Sequence, residues 1–220
     1  MTTMPSVDES WNRILSWLEV NAPATGLCVN PPAADEEIAT VARALGAELP
    51  ADLVTWWHRA NGMRRRRDSG DLLPPDFLPH TTQESLASRQ RLLDIWAEIG
   101  DPRHTEEDLG KPAGSVVLQY LPVFVPIAGN ESGDHLFVDL RHGPRHGCVT
   151  EYDHEQGALA GPCWSNVTAM LADVANGIEH GVITMQEHIA EAREHGFRTA
   201  GYLPRVTEDL ALDWEPSEGA

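Results

Sequence analysis

Residues Leu121 to Tyr152 constrain the fold more than any other stretch of the chain. Three short runs rich in Val, Phe and Leu, beginning at Leu121, Leu136 and Cys148, are separated by two turns that contain glycine. Apolar runs of this length, bounded by turn residues, predict consecutive antiparallel strands joined as a meander. Side chains alternate across a strand, so Leu136, Val138 and Leu140 share one face while Phe137 and Asp139 share the other. The first set is the expected core face. Asp139 and Glu151 alternate with core positions and are expected to point outward.

Helical periods flank this centre. Trp11, Ile14, Leu15 and Leu18 form an amphipathic stripe over residues 10–20 with Ser10 as its N-cap, and Asp35 to Gly46 carries Ile38, Val41, Ala42 and Leu45 behind an acidic first turn. Pro50 at N1 opens a third helix with Leu53, Trp56, Trp57 and Ala60 on one face, ended by Asn61-Gly62. Neighbouring tryptophans on a helix diverge by about 100°, which favours core packing over a ligand-stacking pair. Thr81-Thr-Gln-Glu84 is a capping box opening a helix to about Glu98. The segment 100–114 lacks a period and is expected to be a surface loop. Ser165 caps a helix stopped by Asn176-Gly177, and Thr184 with Glu187 starts a last helix that ends at Gly196 with a weak apolar stripe. Leu72 and Leu73 offer an edge strand. The tail from Tyr202 is expected to dock as an extended strip with a loose end.

Composition narrows the function classes. The formal charge of −18 argues against nucleic-acid binding, which needs a basic footprint, and favours a basic partner. Arg64 to Arg67 is read as a solvated loop, with a docking patch for an acidic surface as the sharper alternative. Cys28, Cys148 and Cys163 are odd in number and widely spaced, so reduced, packed thiols are expected. The first ten residues lack a leader pattern and no run suits a membrane span, so a soluble, cytoplasmic protein is expected.

The best case for catalysis is the cluster His135, Asp139, His142, His146, Asp153 and His154. Gly143 and Pro144 break the spacing between His142 and His146, which removes the helical geometry of a His-x-x-x-His clamp. Ser132 does not fit a nucleophile elbow, and no phosphate-cradling loop is present. No cofactor, metal or catalytic residue is expected.

Several motifs taken together resemble the SUKH superfamily of Smi/Knr-like domains. They are the Trp11 helix, Leu49-Pro50-Ala-Asp-Leu53 leading into Asn61-Gly62, Asp71-Leu-Leu-Pro74, Pro122-Val-Phe-Val-Pro-Ile127, Gly133-Asp-His-Leu-Phe-Val-Asp139, Gly147-Cys-Val149 and the Ser165 helix. The resemblance implies an α+β fold, a twisted and mainly antiparallel sheet with helices packed on it, over residues 1–180. Residues 181–220 then form a C-terminal helix and acidic tail that pack on or extend from that domain. It also implies a noncatalytic, protein-binding role. Bacterial members are often immunity proteins that neutralise a toxin, frequently a nuclease, and the yeast relative is a regulatory partner. An inhibitor of a basic toxin benefits from an acidic face, and Glu131, Asp134, Asp139, Glu151, Asp153 and Glu155 around the sheet turns are the candidates, with Tyr152 as an aromatic anchor. The expected protein is a monomer that occludes its partner's functional surface. A regulatory scaffold for cell-wall or signalling proteins is the runner-up. A metal-dependent hydrolase using His135, His142, His146 or Asp139 is a distant third.

Overall fold

The computed structural model describes residues 3–66, 69–158 and 160–217. Arg67 of the arginine run and the last three residues of the tail lie outside them. The expected meander is present as β2 (Phe124–Gly129), β3 (His135–Asp139) and β4 (Val149–Tyr152). β1 (Leu78–Pro79) and β5 (Pro162–Trp164) complete a five-stranded antiparallel sheet in the order β1-β2-β3-β4-β5. Val138 faces Val125 on one side and Val149 on the other, so a row of β-branched residues crosses the centre of the sheet. A register shift between Pro126 and Ala128 lets Val125, Ile127 and Ala128 reach the same core, although strict alternation would divide them. The fold is α+β.

Both faces of the sheet are buried. On the face of Leu136 and Val138 lies the larger core, built by α1 (Val7–Asn21), α4 (Ala51–Trp57) and α7 (Val167–His180). Trp11 meets Trp56 edge to face at 6.1 Å, and both Trp56 and Trp57 are buried, so the tandem tryptophans serve packing. The other face carries a second core of Phe124, Phe137, Tyr120, Leu121, Tyr152 and Leu92. Phe124 and Phe137 stack at 3.9 Å, and Tyr120 stands perpendicular to Phe124 and Tyr152. The alternation that separates Phe137 from Leu136 therefore separates two cores, not a core from solvent.

Several helix boundaries differ from the expectation, each for a local reason. α1 starts one turn earlier because Ser6 and Glu9 form a reciprocal capping box, while Ser10 is buried inside the helix. After the single turn of α2 (Pro23–Gly26), α3 (Asp35–Leu45) ends as expected at Gly46 in left-handed geometry. Pro50 is the N-cap of α4, not its first residue, and that helix ends at Trp57. Gly62 lies beyond it, where a Cβ would stand 2.3 Å from the His80 carbonyl carbon, and the Asn61 side chain accepts from the Thr82 amide at 2.7 Å. The pair joins α4 to the start of α5 (Thr82–Ile99), whose Thr81–Glu84 capping box is formed. Instead of an edge strand, Leu72 and Leu73 are fully buried, and Leu73 bridges Phe77.

The segment expected to be a loop contains α6 (Pro102–Gly110), capped by Asp101, whose carboxylate accepts from the Arg103 amide at 2.9 Å. Asp101-Pro102 is a cap followed by a helix-opening proline, a start signal without an apolar period behind it. α7 is capped by Asn166, not Ser165, and passes through Asn176-Gly177 to end at Gly181. Gly177 is needed for space, since a Cβ there would lie 2.5 Å from the Thr184 methyl. Thr184 donates to the Tyr202 carbonyl, so its capping box is not made, and α8 (Gln186–Glu194) starts after Met185. The tail folds as a hairpin of β6 (Tyr202–Val206) and β7 (Leu212–Pro216), which places Leu212 and Trp214 in the larger core. Among the described residues no helix is long and apolar enough to cross a membrane.

Candidate protein-binding face

Three turns meet at the end of the sheet where β2 passes into β3. Asn130 organises the β2–β3 turn: its side-chain oxygen accepts from the amides of Gly133 and Asp134 at 3.0 and 2.9 Å. Its side-chain amide donates to Asp76 at 3.2 Å and to Asp134 at 3.0 Å, which ties in the turn between Leu73 and Phe77. Asp134 in turn accepts from the backbone and ring nitrogens of His154 at 3.0 and 2.8 Å, which ties in the β4–β5 turn. Asp153 braces that turn by accepting from the amides of Glu155 and Gln156. Short polar side chains thus hold three acidic loops side by side.

The carboxylates feel one another. Burial, with Asp76 next, pushes the Asp71 carboxyl up to about 6, and burial raises Asp76 with a further contribution from Asp134. Burial, then Asp134, Asp153 and Asp76, pushes the Glu151 carboxyl up to about 7. Asp134 is the exception, because the His154 and Asn130 hydrogen bonds outweigh its burial and lower it. His154 is raised by the same bond to Asp134. Arg65 reaches Glu131 at 3.3 Å and is a basic counterweight at this face.

The candidate residues divide in two. Glu131 and Glu155 are open, with 88% and 78% of their side chains exposed, and Asp134 and Asp153 stand partly exposed on the same turns. Asp139, expected to point outward, is fully buried at the opposite end of β3. Its carboxylate accepts from the Arg141 guanidinium at 2.7 and 3.1 Å, from the Arg141 amide and from the Gly114 amide. Arg141, also buried, spends its remaining donors on the carbonyls of Asp108 and Ser115 and lies over the Phe124 ring. This pair fastens α6 and the following loop over the second core. Tyr152 cannot serve as an anchor either, since it is 1% exposed and its hydroxyl donates to the Leu118 carbonyl. Glu151 is half-buried beneath the turns. Asp71 and Asp76 belong to this face although sequence reasoning passed over them, because nothing local relates them to a turn more than fifty residues away.

The histidines do not converge. His135 is buried against His80, with ring nitrogens 3.3 Å apart, and Arg91 approaches its other nitrogen at 3.4 Å. Burial holds His80 down to about 3 and His135 down to about 4, so both rings are neutral at pH 7. His142 and His146 are exposed beyond the far end of β3. They belong to neither of the two groups with metal-ligand spacing found among the described residues, Glu151 with Cys163 and His188, and Asp134 with Asp153 and His154.

No curated protein matches the chain at a significant level. A family model, that of the SMI1 / KNR4 family (SUKH-1), matches residues 32–173. That span contains the whole five-stranded sheet together with α3 to α6 and half of α7. The order of motifs in the sequence, the antiparallel sheet with its helices and this match agree, and the chain belongs to the SMI1/KNR4 family (SUKH-1).

Proposed function

We propose that the chain is a noncatalytic immunity protein that neutralises a basic cognate toxin by occluding its functional surface one to one, as a cytoplasmic monomer. Domains of this family generally bind protein partners, which supports the class of activity. The observation that carries the choice of partner is the convergence of Asp76, Glu131, Asp134, Asp153 and Glu155 on three mutually braced turns. A preorganised acidic patch steers a basic protein and raises its association rate by about 10 to 1000-fold at low salt. A toxin whose own function depends on a basic surface, such as a nuclease, is the partner that this patch suits. Asp139 and Tyr152 are left out of the contact set by their burial, and the half-buried Glu151 is not counted in it.

Affinity capture from the source organism's lysate at low and then moderate salt, followed by mass spectrometry, tests the reading. One basic protein retained stoichiometrically by the wild type and released by a variant carrying Asp76→Lys, Glu131→Lys and Glu155→Lys is the expected result. Retention of neutral or acidic envelope or signalling proteins by both forms would replace it with a regulatory scaffold.

A further inference from the structure

The geometry points to a structural zinc site formed by Glu151, Cys163 and His188, which staples α8 to the edge of the sheet. One ligand atom from each residue lies within 4.8 Å of the others. Ligands at about 2.0 to 2.3 Å from one tetrahedral ion stand about 3.3 to 3.8 Å apart, so side-chain rotations that close the trio by about 1 Å bring it onto a common centre. The residues come from β4, β5 and α8, three elements that no sequence motif connects.

Each ligand is prepared for the role. His188 is 1% exposed and its Nδ1 lies 3.1 Å from the Pro162 carbonyl. Donation from Nδ1–H to that carbonyl fixes the neutral tautomer and leaves the Nε2 lone pair for the metal, the usual outer-shell arrangement of a metal-bound imidazole. Cys163 is fully buried between the same strand and helix. The thiol loses its proton to solvent as the sulfur–metal bond forms, so the ligand that binds is the thiolate. Glu151 is half-buried on β4 and supplies a carboxylate oxygen to the cluster. A thiolate, an imidazole and a carboxylate together select zinc over magnesium or calcium, which prefer all-oxygen sites.

The fold gives such a staple a purpose. Within its nine residues α8 buries His188 and Ala192, a sparse apolar contact to which a metal bond through His188 would add. The helix is also attached by the His188–Pro162 hydrogen bond and by the pairing of Arg145 with Glu191 at 2.6 and 3.0 Å. The second group, Asp134, Asp153 and His154, carries no such inference: it is exposed, and its carboxylates already brace the turns. It serves as the internal control.

The test uses the full chain, stripped with chelator and dialysed against zinc, with metal content and thermal unfolding as readouts and cobalt as an optical probe. One zinc per chain, a midpoint raised by several degrees and a near-ultraviolet thiolate-to-cobalt band are expected. Cys163→Ser should abolish the band, and Glu151→Gln and His188→Gln should each weaken zinc binding at least tenfold. His154→Ala should leave both unchanged. Glu151→Gln alters only a half-buried side chain, so it remains informative if the other variants do not fold. Absence of stoichiometric zinc, binding that survives Cys163→Ser and Glu151→Gln, or loss of binding in His154→Ala would overturn the assignment.

Discussion

Replacing Asp139 by alanine should destabilise the protein severely while leaving its binding face intact. Four donor nitrogens converge on this carboxylate: two of the Arg141 guanidinium, the Arg141 amide and the Gly114 amide. Without it, a guanidinium that is only 3% exposed keeps the Asp108 and Ser115 carbonyls but has no counter-charge. Removing one partner of a buried pair costs about 3 to 5 kcal/mol, because the surviving charge stays buried. A domain of this size has about 5 to 15 kcal/mol in all, so the variant should approach the unfolding threshold. Urea unfolding followed by fluorescence of the seven tryptophans measures the loss. The double variant Asp139→Leu with Arg141→Met removes both charges, keeps apolar volume, and should be more stable than Asp139→Ala alone. A cost below about 1 kcal/mol for Asp139→Ala, or lost partner binding at unchanged stability, would refute the structural role argued for this pair.

Two further outcomes follow from local geometry. Ser6→Ala should cost about 1 kcal/mol by removing the cap of α1, whereas Ser10→Ala should be neutral or stabilising, because its buried hydroxyl has no partner among the described residues. Equal losses in urea midpoints would contradict the placement of the cap. The His80–His135 pair should make stability fall on acidification: both rings are neutral when folded and charge near pH 6.5 when unfolded, so protons favour the unfolded chain as pH drops from 6.5 toward 4. His135→Gln should flatten that slope by about 1.4 kcal/mol per pH unit. The raised carboxyls of Glu151 and Asp71 act in the opposite sense, losing stability as pH rises from about 4 to 7, and cancel in the comparison of variant with wild type. An unchanged slope would mean that His135 titrates normally in the native state.

The sheet was legible because its strands are local: three apolar runs and two glycine turns specify the meander without knowledge of anything else. Capping boxes were equally readable at Thr81, where the box and the apolar period coincide, and misleading at Thr184, where the hydroxyl is claimed by Tyr202 from a distant strand. Alternation separated Phe137 and Asp139 from Leu136 and Val138 but carries no information on what covers the second face. That cover comes from α5, the segment near Tyr120 and α6 with the loop after it, and the last of these turns an expected surface carboxylate into half of a buried ion pair. The acidic face was half visible, since Glu131, Asp134, Asp153 and Glu155 sit in turns that adjacent strands bring together. Asp76 arrives through Asn130, a contact spanning 54 residues, and Asp71 lies close enough to feel its charge. The trio of Glu151, Cys163 and His188 was invisible for the same reason, as each member looks ordinary in its own segment.

The most direct test of the acidic face is the association rate of the captured partner with wild type and with the Asp76→Lys, Glu131→Lys, Glu155→Lys variant, measured at low and at physiological salt. The account predicts a rate at least tenfold slower for the variant at low salt and a gap that narrows as salt screens the patch. Equal rates for the two proteins at low salt would contradict it and place the binding surface elsewhere on the fold.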